Sequence, residues 1–368
     1  MRNFLNKLKN LLPTRRRIIQ LYAALLFNAN LKGFKHGIIY QGPVKNICTP
    51  GLNCYSCPGA SGSCPLGALQ NAITTTDRRT PYYILGIIIL WGFLFGRFIC
   101  GFLCPFGLVQ DLLHKIKTPK IKKSRLTRIL SYFKYVILVF FVVIFPLAYM
   151  FRDLQLPAFC KYICPAGTLG GAIGLLINPE NEEMFGMLGP LFTWKFLVLV
   201  AVVLGSVFIY RFFCRFFCPL GALYGLFNKF AMFGIKLEKP KCVDCGRCIS
   251  KCKMDIREVG DHECINCGEC ISVCPTGAIS WRGKKIILPD NEIPDDANDE
   301  EIEVIQKRRN RRTLALKITA AVLSVSLLGG ALYYYNFVDE IPSSNIIPGD
   351  DDDDGIPIGY RVGQKCAT

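Results

Sequence analysis

Five stretches of this 368-residue chain are apolar enough to predict helices in a membrane. They are Ile18 to Leu31, Tyr82 to Ile99, Phe133 to Met150, Trp194 to Phe213 and Leu314 to Tyr335. A membrane helix needs roughly 20 mostly apolar residues. The first stretch is the weakest, because Asn28 and Asn30 interrupt it. Basic residues gather at particular ends of these stretches. Arg2, Lys7, Lys9, Arg15, Arg16 and Arg17 precede the first. Lys115, Lys117, Lys120, Lys122, Lys123, Arg125 and Arg128 separate the second from the third. Lys307, Arg308, Arg309, Arg311 and Arg312 precede the fifth. Such clusters stay on the cytoplasmic side. The chain is therefore expected to run outward at the first, third and fifth stretches and inward at the second and fourth.

This pattern divides the chain. Residues 1–17 form a basic cytoplasmic N-terminus and 18–235 a four-helix membrane domain. Residues 236–288 form a cysteine-rich cytoplasmic module. A charged linker (289–313), a fifth span (314–335) and an acidic extracytoplasmic tail (336–368) follow. Composition agrees: 51% of the residues are hydrophobic and the mean hydropathy is +0.31, more apolar than a soluble chain. The net charge of +16 raises the question of nucleic acid. The basic residues sit in blocks beside apolar runs rather than among aromatics. The lipid bilayer is the expected partner, and nucleic acid is not.

Nineteen cysteines change the picture further. Cys242 to Pro275 reads C-V-D-C-G-R-C-I-S-K-C and then C-I-N-C-G-E-C-I-S-V-C-P. Each half is Cys-x2-Cys-x2-Cys-x3-Cys, the spacing that wraps three thiolates round one iron–sulfur cube while the fourth ligates the other cube. Cys242, Cys245, Cys248 and Cys274 are expected to hold one [4Fe–4S] cluster. Cys252, Cys264, Cys267 and Cys270 are expected to hold a second. Zinc sites group cysteines in pairs across a longer spacer. The module resembles bacterial two-cluster ferredoxins, with Lys253 where the first half usually carries Pro. The three histidines, His36, His114 and His262, fall in different segments, so paired haem ligands are not expected.

A phrase Cys-Pro-x-Gly recurs at Cys64, Cys104, Cys164 and Cys218. Two hairpins each carry one copy outside and one inside. Cys100, Cys160 and Cys214 stand four residues before the later three copies; the first has Ala60 there, with Cys57 displaced. Each inner pair supplies two thiolates and a cube needs four. Cys100, Cys104, Cys214 and Cys218 are therefore expected to converge on one further cluster. Arg97 and Arg211, three residues before each inner pair, are expected to offset its negative charge, since an uncompensated buried charge is costly. The alternative is that these arginines reach to headgroups. In the outer site, Cys57 and Cys64 are expected to join Cys160 and Cys164 in another cluster, because the repeat makes Cys64 and Cys164 counterparts. Two other arrangements stay open. Cys48, Cys54, Cys57 and Cys64 could form a cluster alone, leaving Cys160 and Cys164 as a thiol–disulfide pair. A structural disulfide is the other.

The paired Cys-x3-Cys-Pro repeats ahead of a two-cluster ferredoxin resemble the polytopic membrane [4Fe–4S] ferredoxins of the NapH, NosR and YccM kind. Residues 53–70, N-C-Y-S-C-P-G-A-S-G-S-C-P-L-G-A-L-Q, look like that family's first signature. The expected fold is a membrane protein, mainly α. It has about five transmembrane helices in two repeated hairpins plus one C-terminal span, with a small α+β two-cluster ferredoxin module. The resemblance implies membrane electron transfer. The expectation is an electron carrier, without a bond-making active site of its own, with two [4Fe–4S] clusters in the ferredoxin module and one or two more in the membrane domain. Its electrons come from a cytoplasmic ferredoxin or flavodoxin-like donor and pass to an extracytoplasmic redoxin or reductase. Two alternatives are a quinol dehydrogenase subunit, with Phe98, Phe102 and Phe106 near the quinone, and a copper-handling protein using soft thiolates. Only 17 residues precede the first span, so a flavin domain of the NosR kind is not expected. In the tail, Asp350 to Asp354 read as a solvated spacer, and the segment around Cys366 is similar to the lead-in of TlpA-like redoxins.

Overall fold

The computed structural model describes residues 15–74, 81–121, 123–150, 156–179, 181, 186, 188–283 and 299–338. Residues 1–14, most of the acidic linker and the tail with Cys366 lie outside the described residues. What is described is mainly helical, with one small sheet.

Among the described residues, three helices are long and apolar enough to cross a bilayer: Arg125–Tyr149, Pro190–Phe208 and Thr313–Phe337. The 19 residues of Pro190–Phe208 reach about 28 Å, close to the hydrocarbon thickness. Tyr82–Phe95 is apolar but shorter. The expected first span differs most. It is a 13-residue helix, Arg15–Phe27, of only about 20 Å. Its polar residues turn inward: Gln20 is buried, and Gln20 and Arg16 both bond Asp111 and the Gly101 carbonyl. Asn28 and Asn30 end it, and Asn30 binds the Pro58 carbonyl.

The later three cysteine pairs are built alike. A five-residue helix carries the first cysteine: Phe98–Phe102, Ala158–Tyr162 and Phe212–Phe216. At its end two successive N–H groups converge on one carbonyl. Leu103 and Cys104 donate to Ile99, Ile163 and Cys164 to Phe159, and Phe217 and Cys218 to Phe213. That tight turn places the second cysteine at the start of a new helix with proline behind it. Cys104 and Cys218 are the N-caps of Pro105–Leu113 and Pro219–Phe227. Proline suits this first helical position because its missing N–H has no helical partner to lose. The long helices break just before the inner pairs, where Gly96 (φ 48°) and Arg211 (φ 52°) adopt the left-handed conformation.

The ferredoxin module pairs Gly234–Leu237 antiparallel to Ile279–Arg282, with Ile235 opposite Trp281. Its two cysteine loops repeat one backbone path. Asp244 and Gly246 in the first, and Asn266 and Gly268 in the second, have positive φ. Asp, Asn and Gly are the residues that tolerate this conformation.

The module is clamped to the membrane domain by buried polar groups. Asn228, at the end of Pro219–Phe227, donates to the carbonyls of Asp261 (2.6 Å) and Cys264 (3.0 Å) and accepts from Asn266 (2.8 Å). Arg282 caps the same helix end through the carbonyls of Lys229 and Ala231. Phe95 stacks on Phe233, and Trp281 meets the stacked Phe98–Phe102 pair edge-on. Gly101 leaves no room for a Cβ against the Ile265 carbonyl.

Asn228→Ala leaves the buried Cys264 carbonyl without its donor, at roughly 1–3 kcal/mol, while the Asp261 carbonyl keeps the Cys264 N–H. Hydrogen exchange is expected to speed up at Cys264 to Asn266 with the membrane helices unaffected. Unchanged protection there would mean that the clamp lies elsewhere.

Candidate functional site: two cysteine quartets beside a ferredoxin module

Cys100, Cys104, Cys214 and Cys218 line one small cavity together with Pro50, Gly51, Leu52 and Tyr224. Cys218 lies within electrostatic range of the other three. All four are buried. The sequence repeat separates these pairs by more than a hundred residues, and the fold brings them together.

The Cys-Pro-x-Gly phrase has a local physical meaning. In each copy the glycine N–H points back to the sulfur of the cysteine: Gly67 to Cys64, Gly107 to Cys104, Gly167 to Cys164 and Gly221 to Cys218. The Gly221 N–H lies 3.4 Å from the Cys218 sulfur. A helix N-terminus favours negative charge, so each motif offsets part of what burying a thiolate there would cost. The inner glycines are also close to the opposite half. A Cβ at Gly107 would sit 3.2 Å from the Arg211 guanidinium, and one at Gly221 3.5 Å from that of Arg97.

Both arginines are fully buried and pair inward, not at a headgroup. Arg211 grips Asp111 with two bonds of 2.8 Å and donates to the Cys100 carbonyl. Arg97 donates to Glu263 (2.9 Å) and to the His262 carbonyl (2.8 Å), and Lys134 also pairs with Glu263. Burial pushes the Glu263 carboxyl up, but the Arg97 and Lys134 charges outweigh it and hold it below the usual range. Arg97 keeps two guanidinium nitrogens, Nε and Nη2, buried without a hydrogen-bond partner among the described residues. Unpaired buried donors of this kind are costly unless an anion meets them. Four thiols round one cavity, helix N–H groups facing two of their sulfurs and spare guanidinium donors fit a negatively charged four-thiolate iron–sulfur group.

The outer site is drawn differently from the expected set. Cys160 lies within electrostatic range of Cys164, Cys64 and Cys54. A Cβ at Gly167 would touch the Cys54 sulfur at 3.7 Å. Cys57, the expected partner, lies further along the same helix, its sulfur 3.5 Å from a Cβ at Gly170. The reason is a turn: the Cys57 N–H bonds the Cys54 carbonyl and separates the two side chains. Cys48 bridges to Ser63. No disulfide joins any of the described cysteines.

In the ferredoxin module, Cys252 and Cys270 both lie within electrostatic range of Cys264 and Cys267. Cys248 and Cys274 pack on the small core of Ile235, Cys270 and Ile279, and Cys245 is exposed. Among the described residues, no group of three or more His, Cys, Asp or Glu side chains is arranged to hold a single metal ion.

Two glutamines were not anticipated. The Gln70 amide accepts the Phe159 N–H (3.0 Å) and donates to the Cys160 sulfur (3.4 Å). The Gln110 amide accepts the Phe213 N–H (3.0 Å) and donates to the Cys214 sulfur (3.0 Å). Each thus fixes the first cysteine of the opposite repeat. The signal was available as Cys-Pro-x-Gly-x-x-Gln in the first two copies, with Gly170 and Tyr224 at the same place in the others.

Residues 80–124, 133–179 and 191–240 match one family and residues 259–280 another, both described as 4Fe-4S binding domains. The three matches to the first family each enclose one Cys-x3-Cys-Pro pair. An uncharacterized protein of Methanocaldococcus jannaschii is 34% identical over 180 residues, covering 46% of this chain and 57% of the relative. YccM of Escherichia coli is 25% identical over 210 residues, covering 54% and 55%. The methylamine utilization ferredoxin-type protein MauN of Paracoccus denitrificans is 26% identical over 192 residues, covering 51% and 60%. The chain spans less than two thirds of the length of each of these relatives. No solved structure matches.

Hydrogen bonds to cluster sulfurs raise a cluster's reduction potential. Gln110→Leu removes such a donor from Cys214 and is expected to lower the midpoint of one iron–sulfur signal in an EPR redox titration. A titration superimposable on wild type would leave Gln110 with a packing role only.

Proposed function

Because the chain belongs to the membrane ferredoxin-type electron-transport proteins of the NapH, NosR and YccM kind, we propose that it is an electron relay built from four [4Fe–4S] sites in series. It lies in a membrane, binds iron–sulfur clusters and exchanges electrons with redox partners. The finer reading assigns the sites. Cys242, Cys245, Cys248 and Cys274 hold the outermost cluster, where exposed Cys245 opens it to a cytoplasmic ferredoxin or flavodoxin-like donor. Cys252, Cys264, Cys267 and Cys270 hold the next. Cys100, Cys104, Cys214 and Cys218 hold the inner membrane cluster. Cys54, Cys64, Cys160 and Cys164 hold the outer one, with Cys54 in the place first expected of Cys57. The acceptor is an extracytoplasmic redoxin or reductase.

A bound [4Fe–4S] cluster supplies a one-electron store. The protein's residues position and tune it. Gly101 lets the backbone beside Cys264 press against the backbone beside Cys100. Arg97 spans the same junction, between Glu263 and the Gly221 helix start. Gln70 and Gln110 orient the first cysteine of each opposite repeat. The observation that carries this reading is the meeting of four cysteines from two distant repeats round one cavity, directly beneath the ferredoxin module. The packing of Phe98 and Phe102 on each other and on Trp281 accounts for these aromatics without a quinone.

A Cys100→Ser/Cys214→Ser variant is expected to lose one cluster signal in EPR while the two ferredoxin signals persist. Retention of every wild-type signal would remove the inner cluster from the account.

A further inference from the structure

Tyr224 occupies the place in the fourth repeat that glutamine holds in the first two, yet it faces another way. It is fully buried, and its hydroxyl donates to the Pro50 carbonyl at 2.9 Å. It lies within electrostatic range of Cys100 and Cys104 of the inner quartet and also of Cys64 of the outer one. The segment it holds, Pro50 to Asn53, is buried along its whole length. Two neighbouring residues of that segment serve different sites. The Leu52 N–H points to the Cys104 sulfur, and the Asn53 N–H to the Cys64 sulfur. Consecutive Cα atoms are about 3.8 Å apart, so one peptide unit separates the donors. Gly51 presses the segment onto the inner site: a Cβ there would meet the Cys104 Cα at 2.9 Å and the Pro105 ring at 3.3 Å. The two quartets therefore stand back to back around one strip of backbone.

We propose that Tyr224 and the Pro50–Asn53 segment form the bridge by which an electron passes between the inner and outer cysteine sites. The proposal rests on the reading that both quartets hold [4Fe–4S] clusters. The step moves one electron only: the inner site is oxidised by one electron and the outer site is reduced by one, with no atom or proton transferred. A low-potential one-electron reductant supplies the electron. Tyr224 is a positioning residue. Its ring fills the space between the sites, and its hydroxyl holds the segment whose N–H groups reach both.

The test uses the full-length protein in detergent with dithionite as reductant, read by EPR. In the fully reduced wild type, the inner and outer signals are expected to be mutually broadened by spin–spin interaction. Removing the outer site with Cys64→Ser/Cys164→Ser should sharpen the inner signal. In freeze-quench samples, Tyr224→Leu is expected to make the outer signal lag behind the inner one, which in wild type it follows without delay. Tyr224→Phe keeps the ring and loses only the bond to Pro50, so it serves if the Leu variant does not load; it too is expected to lag. Both signals present without mutual broadening would overturn the bridge, and so would an outer signal that rises at the wild-type rate in both variants. A wild-type protein lacking one of the two signals would overturn the cluster reading itself, a result distinct from either of these.

Discussion

The membrane domain depends on one local device: a cysteine sulfur at the start of a helix, facing the N–H three residues on. It occurs four times, at Cys64, Cys104, Cys164 and Cys218. Apolar surroundings penalise a bare thiolate. Broken helices whose N-termini meet inside a membrane answer this problem with their own backbone. The short helix before each of the later three copies supplies a second sulfur at a fixed angle to the first. Arg97 and Arg211 are each seated against the glycine of the opposite repeat.

Those arginines tie the domains together as well. Arg97 shares Glu263 with Lys134, and Glu263 immediately precedes Cys264. Arg211 shares Asp111 with Arg16 at 2.5 Å, which draws the N-terminal helix onto the bundle. Arg215 shares Asp255 with Arg128 at 2.5 and 3.2 Å, again between membrane domain and ferredoxin module. Breaking one partner of such a buried pair strands the other charge, which is far more costly than losing a surface pair. The ferredoxin module is thus seated by charges that the membrane domain must bury in any case. It sits with one cysteine loop against the inner quartet and the other toward solvent.

What could be read in the sequence was what is encoded at short range. The two ferredoxin loops, the Cys-Pro-x-Gly repeat and the arginine before each inner pair are all local spacings. The cavity lined by Cys100, Cys104, Cys214 and Cys218 was legible because the repeat left each pair two thiols short of a cube. The outer site was less so. Cys54 stands ten residues before Cys64, and only the turn that separates it from Cys57 reveals which faces Cys160. Gln70 and Gln110 act on cysteines 90 and 104 residues away. Asp111 and Glu263, the partners of the arginines, lie on elements with no sequence relation to them. The first apolar stretch forms a shorter helix than its run of apolar residues suggests, and the partners of Arg16 and Gln20 that turn them inward are remote in sequence.

All of this turns on the membrane cysteines gathering round inorganic clusters in addition to the two of the ferredoxin module. Counting iron and acid-labile sulfide per chain in anaerobically purified protein addresses that most directly. The account predicts about sixteen of each, four for every [4Fe–4S] site. A value of about eight, the content of the ferredoxin module alone, would contradict it.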